Sequence, residues 1–272
     1  MTAGSRNPCA TCGICCRSYI VNVSGYDVWL LSSRQQLSHE KFLVAVPQQH
    51  PAVDGFFLQA DGPTYGLVLD KQGKFGVKRP CVFLVTLGGD NARCGVYAER
   101  PIVCQTYPMS IKQLRVVQRT DALCPPDSWW PSDVAHPVWQ GKLHELQMHF
   151  DIYAEVVARW NARVTVASAA QHFALADYLN YLINVYDGLH ALESIFGPKS
   201  MEQLKAEWPN LPKLEEGSAT MVIDGDEPAW YVYLTRARAV IDRFYPVLPP
   251  QRVLPVHAPA VTTPVTVQTG VR

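Results

Sequence analysis

Eight cysteines, none of them beyond position 124, constrain this 272-residue chain more than any other feature. They are Cys9, Cys12, Cys15, Cys16, Cys81, Cys94, Cys104 and Cys124. The first four spell C-x-x-C-x-x-C-C, a density that packing does not require. Two cysteines separated by two residues let one tight turn aim both sulfurs at a single ion, as zinc and iron–sulfur sites do. The N-terminal half therefore reads as a metal-binding module, with all eight thiolates as candidate ligands.

The adjacent pair restricts how those ligands divide. Neighbouring side chains tend to diverge, so Cys9, Cys12 and one of Cys15 and Cys16 are expected at one site and the other sulfur at a second. Eight thiolates suffice for two four-sulfur sites, or for one site plus reactive thiols. The bacterial ferredoxin run begins in the same way but is not completed, because Cys16 follows Cys15 at once and no cysteine lies three residues beyond it. That argues against a ferredoxin fold, while a cluster held by three local cysteines and a distant fourth stays open.

Charge and hydropathy narrow the class. Lys plus Arg and Asp plus Glu number 24 each, without the basic excess of an electrostatic nucleic-acid binder. The first eight residues lack the apolar stretch of a signal peptide, and no window approaches the ~18 apolar residues of a membrane span. A soluble cytoplasmic protein without a nucleic-acid or membrane partner is expected. In that reducing compartment clustered thiols serve as metal ligands or redox groups rather than as disulfides.

The pattern along the chain predicts an α+β protein in three parts: a cysteine-cluster metal-binding module over 1–131, a helical region packed on it over 132–245, and a disordered tail over 246–272. The module is rich in Gly, Pro and short β-prone runs, with strands expected at Tyr19–Val23, Phe56–Leu58, Tyr65–Leu69, Lys74–Val77, Val82–Thr86 and Leu114–Val117. Tyr26–Val46 has a patchy helical pattern with Asp27 near its start. Beyond Pro131, apolar residues recur at helical spacing from Leu146 to Trp160, from Leu175 to Phe196 and from Trp230 to Phe244. These stripes read as core, and the Pro, Val, Thr and Gln of the tail show no periodicity.

Several familiar motifs fail. His144 and His149 are five residues apart, about 140° around a helix, whereas a zinc-protease helix needs a spacing of four. His136, His172 and His190 are scattered polar residues of the helical half. No nucleophile elbow, Walker loop or dinucleotide fingerprint occurs, and Gly88-Gly89-Asp90 suits a hairpin turn.

The second cysteine group sits among cations: Arg17, Lys78, Arg79, Arg93 and Arg100 all lie within four residues of a cysteine. Four thiolates round a divalent ion leave a net negative charge that such cations offset. The order of residues here is specific. Cys9, Cys12, Cys15 and Cys16 are followed by Cys81-Val82-Phe83-Leu84. Cys94, Tyr97, Arg100-Pro101, Cys104 and Tyr107-Pro108 come next, and Cys124 is last. Over about 1–125 the chain resembles the cysteine-cluster family of zinc- or iron-chelating proteins. It departs at Gln105, where the family often has Arg, and the helical half lies outside the resemblance.

The resemblance implies a metal ion as partner and zinc or iron, including a 4Fe–4S cluster, as cofactor. Related clusters occur in flagellin lysine methylases, which implies a cluster-dependent oxidoreductase or protein-modifying methyltransferase as one alternative. A zinc-fastened scaffold that binds a protein partner through its helical half is another. No catalytic or organic-cofactor residue is assigned.

Overall fold

In a computed structural model, the structure describes residues 12–195 apart from 50, 51, 53, 74–78, 89–90, 113–114, 135–137 and 168–170, and apart from the side chains of 144 and 191–195. Cys9, the expected strand Lys74–Val77, the third helical stripe and the tail from 246 lie outside the described residues.

The elements run α1 (Ile14–Ser18), α2 (Gly25–Ser33), β1 (Leu43–Pro47), β2 (Tyr65–Leu69), β3 (Leu84–Gly88), β4 (Asn91–Cys94), α3 (Ile102–Thr106), β5 (Met109–Lys112), β6 (Arg115–Gln118), α4 (Pro131–Val134), α5 (Val138–Val166) and α6 (Leu175–Ile195). This is an α+β protein. The strands form three separate antiparallel ribbons, β1–β2, β3–β4 and β5–β6. Leu43 opposes Leu69, Leu84 opposes Cys94 and Met109 opposes Gln118.

Tyr65–Leu69 forms the strand its pattern predicts, and Val82–Thr86 and Leu114–Val117 overlap β3 and β6. Three expectations differ. The helix predicted across Tyr26–Val46 stops at Ser33, and the β-branched Leu43–Pro47 pairs with β2 instead. Tyr19–Val23 and Phe56–Leu58 contribute only single bridges, Asn22 to Val68 and Phe56 to Tyr65. Their extended backbones lie against β2 but do not continue its ladder.

Helix α2 begins with a reciprocal cap. Ser24 accepts from the Asp27 amide, while Asp27 Oδ2 accepts from the Ser24 amide and hydroxyl, both at 2.9 Å. The other oxygen, Oδ1, accepts from the Ile102 amide at 2.9 Å and so fixes the start of α3. One buried carboxylate thus joins two helices 75 residues apart in the chain.

The helical stripes become the main core. Ile152, Tyr153, Val156, Val157 and Trp160 of α5 meet Tyr178, Leu179, Leu182 and Tyr186 of α6, together with Val28, Leu31, Phe42, Phe56 and Leu69 from the N-terminal half. Helix α2 packs on α5 and α6, and α3 packs on α5. Gly25 permits one of these approaches, since a Cβ there would sit 2.4 Å from the Tyr186 ring. Polar anchors lock the seam: the Trp160 indole donates to the Phe57 carbonyl at 2.6 Å, and the Trp29 indole to Asp187 at 2.7 Å. Asn161 accepts from the Phe57 amide and donates to the Gly55 carbonyl, each at 2.8 Å.

Replacing Asp27 by Ala strands the Ser24 and Ile102 amides in the interior. The expected cost is about 3 kcal/mol, read as a lower urea midpoint at unchanged slope. A loss within the error of the measurement would show that this carboxylate does not join the two helices.

Candidate metal centre

The first cysteine loop is shaped by glycine. Gly13 precedes α1 with φ +65°, and a Cβ added there would lie 2.9 Å from that of Ala92 on β4. The turn therefore has both a left-handed backbone and a close neighbour that only glycine accommodates. It starts a five-residue helix carrying Cys15 and Cys16, whose sulfurs stand 4.0 Å apart. Neighbouring side chains tend to diverge, yet these two sulfurs approach each other on the short helix. Its anchor is the Cys16 carbonyl, which accepts from the Cys81 amide at 2.8 Å.

The second group reaches the same place from three other segments. Cys81 lies just before β3 and Cys94 ends β4. Both sulfurs accept a hydrogen bond from the backbone amide two residues on, Phe83 for Cys81 and Val96 for Cys94. Such amides favour the thiolate over the thiol, which is the form that binds a metal. Cys104 sits mid-way along α3, on the helix that Asp27 caps.

Cys16, Cys81, Cys94 and Cys104 lie close enough that ionising one hinders each of the others. Burial pushes the Cys81 thiol up to about 11 and raises Cys94, and it lifts Cys104 well above the ordinary thiol value. Cys16 goes the other way, to about 7. The Cys15 hydrogen bond is the chief cause and outweighs burial, with Lys71, Arg100 and Arg17 adding their positive charge.

Cys12 and Cys124 form a second neighbourhood. Burial raises Cys124, while the Tyr107 hydroxyl favours its thiolate and Cys12 opposes it. Tyr107 also accepts from the Leu123 amide at 2.6 Å and stands edge-on to Tyr19, with ring centroids 5.6 Å apart. The loop leading to Cys124 is pinned by Arg119, which grips Asp121 with two hydrogen bonds of 2.9 and 2.7 Å. The Asp121 carbonyl accepts from Tyr19 at 2.8 Å.

Of the cations expected around the cysteines, Arg17 and Arg100 bear on Cys16, and Lys78 lies outside the described residues. The Arg100 guanidinium lies 4.2 Å above the centre of the Tyr97 ring. Its Nε is buried without a hydrogen-bond partner among the described residues. Gln105 is not left as a neutral gap. Its amide donates to the Arg100 carbonyl and accepts from Lys142 of α5, at 2.8 and 2.9 Å, so a lysine of the helical half brings a cation there. Sequence reading missed Lys71, Asp27 as the α3 cap, and Lys142. Asp27 alone carried a local signal, as an acidic residue three positions after Ser24.

The donor set fits zinc or iron in its chemistry, since soft thiolates suit both. The sulfurs are gathered but not closed: among the described residues no three His, Cys, Asp or Glu side chains stand round one point that could hold an ion.

Residues 8–125 match a protein-family model whose description is "putative zinc- or iron-chelating domain". Over those residues the chain is similar to that domain family. Its boundaries enclose all eight cysteines and end before α5 and α6. No curated protein and no solved structure matched the chain. No helix among the described residues is long and apolar enough to cross a membrane.

The thiol values of the chelating domain predict an order of reaction in the metal-free chain. Cys16 lies below the ordinary value of 9.0, so the fold favours its thiolate. Its stabilising contribution is present above pH 9 and fades as pH falls through about 7. Cys81 has the opposite sign, contributing as a thiol below pH 9 and losing that contribution as pH rises through about 11. Alkylation followed by peptide mass spectrometry should therefore give Cys16 a midpoint near 7 and leave Cys81 unlabelled at pH 8. A common midpoint near 9 for both would show that they do not differ in environment.

Proposed function

We propose that the chain chelates zinc or iron at two adjoining four-thiol sites. Cys16, Cys81, Cys94 and Cys104 supply one, and Cys9, Cys12, Cys15 and Cys124 supply the other. The observation that carries this reading is the mutual grouping of Cys16, Cys81, Cys94 and Cys104 from four separate segments, with Cys12 and Cys124 grouped apart from them. Packing alone does not account for four such thiols in one partly buried place, since burial opposes ionising Cys81, Cys94 and Cys104 and none of the four forms a disulfide. A bound cation supplies the missing stabilisation, because its charge reverses the local preference and draws the thiols into their ionised form.

In this reading the residues of the domain divide the work. The Phe83 and Val96 amides favour the ionised sulfurs of Cys81 and Cys94, and the Tyr107 hydroxyl favours that of Cys124. Asp27 sets the position of Cys104 through the start of α3. Zinc bound there gives a closed structural or metal-handling site, and an iron–sulfur cluster would supply electron transfer. Cys15, with its sulfur 4.0 Å from Cys16, stands where the two sites adjoin.

Elemental analysis, acid-labile sulfide and an absorption spectrum of anaerobically purified protein test the reading. Two zinc ions on a colourless chain, or iron with matching sulfide and broad visible absorption, are the supporting results. Cys104→Ser should remove metal from one site and Cys124→Ser from the other, with the double variant losing both increments. A chain purified without thiolate-bound metal, and taking up neither ion on reconstitution, would refute the proposal. Identical total loss from either single variant would replace the two sites by one shared cluster.

A further inference from the structure

The chelating domain buries a lysine among its sulfurs. Lys71 is 2 % exposed, and its Nζ donates to the Tyr19 carbonyl at the end of α1. Its backbone pairs with Cys81 across an isolated antiparallel bridge. Residues directly opposite in such a bridge project to the same face, so the lysine stem starts beside the Cys81 side chain. It then ends against the turn after Cys15 and Cys16. The amide side of the same strip is tied down as well. The Lys71 amide donates to Asp70 Oδ1 at 2.7 Å, and Gln72 donates to the Cys81 and Leu84 carbonyls at 3.2 and 2.5 Å.

Burying an ammonium costs several kcal/mol unless anions accompany it. Among the described residues, no carboxylate forms a salt bridge with Lys71. The groups that favour its charge are Cys81, Cys16, Cys104 and Cys15, in that order, against the burial that opposes it. Three of these belong to one proposed four-thiol site and Cys15 belongs to the other. Arg100 and Arg17 approach Cys16 as well, but Lys71 is the cation that lies near four of the sulfurs at once.

We propose that Lys71 is the internal counter-cation of the thiolate sites, a positioning residue that offsets their negative charge at the seam between them. This rests on the reading of the cysteines as metal ligands. Two divalent ions held by eight thiolates leave a surplus of negative charge in a poorly solvated place. A fixed positive charge there favours the ionised sulfurs and hence retention of the metal, without itself touching the ion.

The test compares wild type with Lys71→Met, Lys71→Gln and Lys71→Arg by zinc competition against a chromophoric chelator, alongside urea unfolding of the metal-free chains. Neutral Met and Gln should each weaken zinc binding by about 10- to 100-fold, the range for loss of a group that supports metal ligands, while Arg restores most of it. The same two neutral variants should be at least as resistant to urea as wild type when metal-free, because they remove a buried charge. Zinc affinity and metal-free stability thus move in opposite directions. Unchanged affinity in both neutral variants would overturn the proposal while leaving the metal reading intact. Lower metal-free stability in both, or their failure to fold, would overturn it by assigning Lys71 to the scaffold. A wild-type chain that binds no zinc or iron would remove the metal reading and this proposal together.

Discussion

A sulfur that is to hold a metal must lose its proton, and burial opposes that loss. Much of the cysteine half is organised around this conflict. Burial raises Cys81, Cys94, Cys104 and Cys124. Against it stand two backbone amides, a tyrosine hydroxyl and a small set of cations. None of these fully cancels the cost at the most buried thiols. A bound cation would supply the remaining stabilisation.

The scaffold meets a second demand, to bring sulfurs far apart in sequence to one place with little secondary structure. Two-stranded ribbons are marginal by themselves in water. Here each is fastened to something larger. β2 borders the core through Leu67 and Leu69, and β5 lies against α5. α3, five residues long, is capped by the buried Asp27 of α2. The long helices thus do more than cover the module. They bury the residues that hold α2 in place, and α2 in turn aims the helix that carries Cys104.

Much of the site was legible in the sequence because cysteines are rare and their spacing is chemically specific. The ordered motifs marked the eight cysteines as candidate ligands without saying which of them share an ion, and the aromatic stripes of α5 and α6 became core as their period requires. What stayed hidden depends on long-range contact. Nothing near Lys71 marks it, since its neighbours Cys81 and Cys15 lie ten and more than fifty residues away, and a buried lysine looks like a surface one until its surroundings are known. Local pattern also misread Leu43–Pro47, where pairing with β2 outweighed a weak helical preference. The convergence of Cys15 and Cys16 could not be read from adjacency alone, because it depends on Gly13 and on the Cys81 amide that holds the end of α1.

Gln105 shows how the two halves share one electrostatic problem. A cation beside Cys104 need not come from the neighbouring position in the chain; it needs only to reach the same space. Lys142 reaches the residue after Cys104 from α5, bonding to Gln105, whose amide in turn holds the Arg100 carbonyl. Glu145 lies 3.5 Å from the same ammonium, so Lys142 is partly neutralised on its outer side and contributes less than a buried cation would. Buried Lys71 has no carboxylate ion pair among the described residues. At that depth a charge interacts with its neighbours more strongly than one that water screens at the surface.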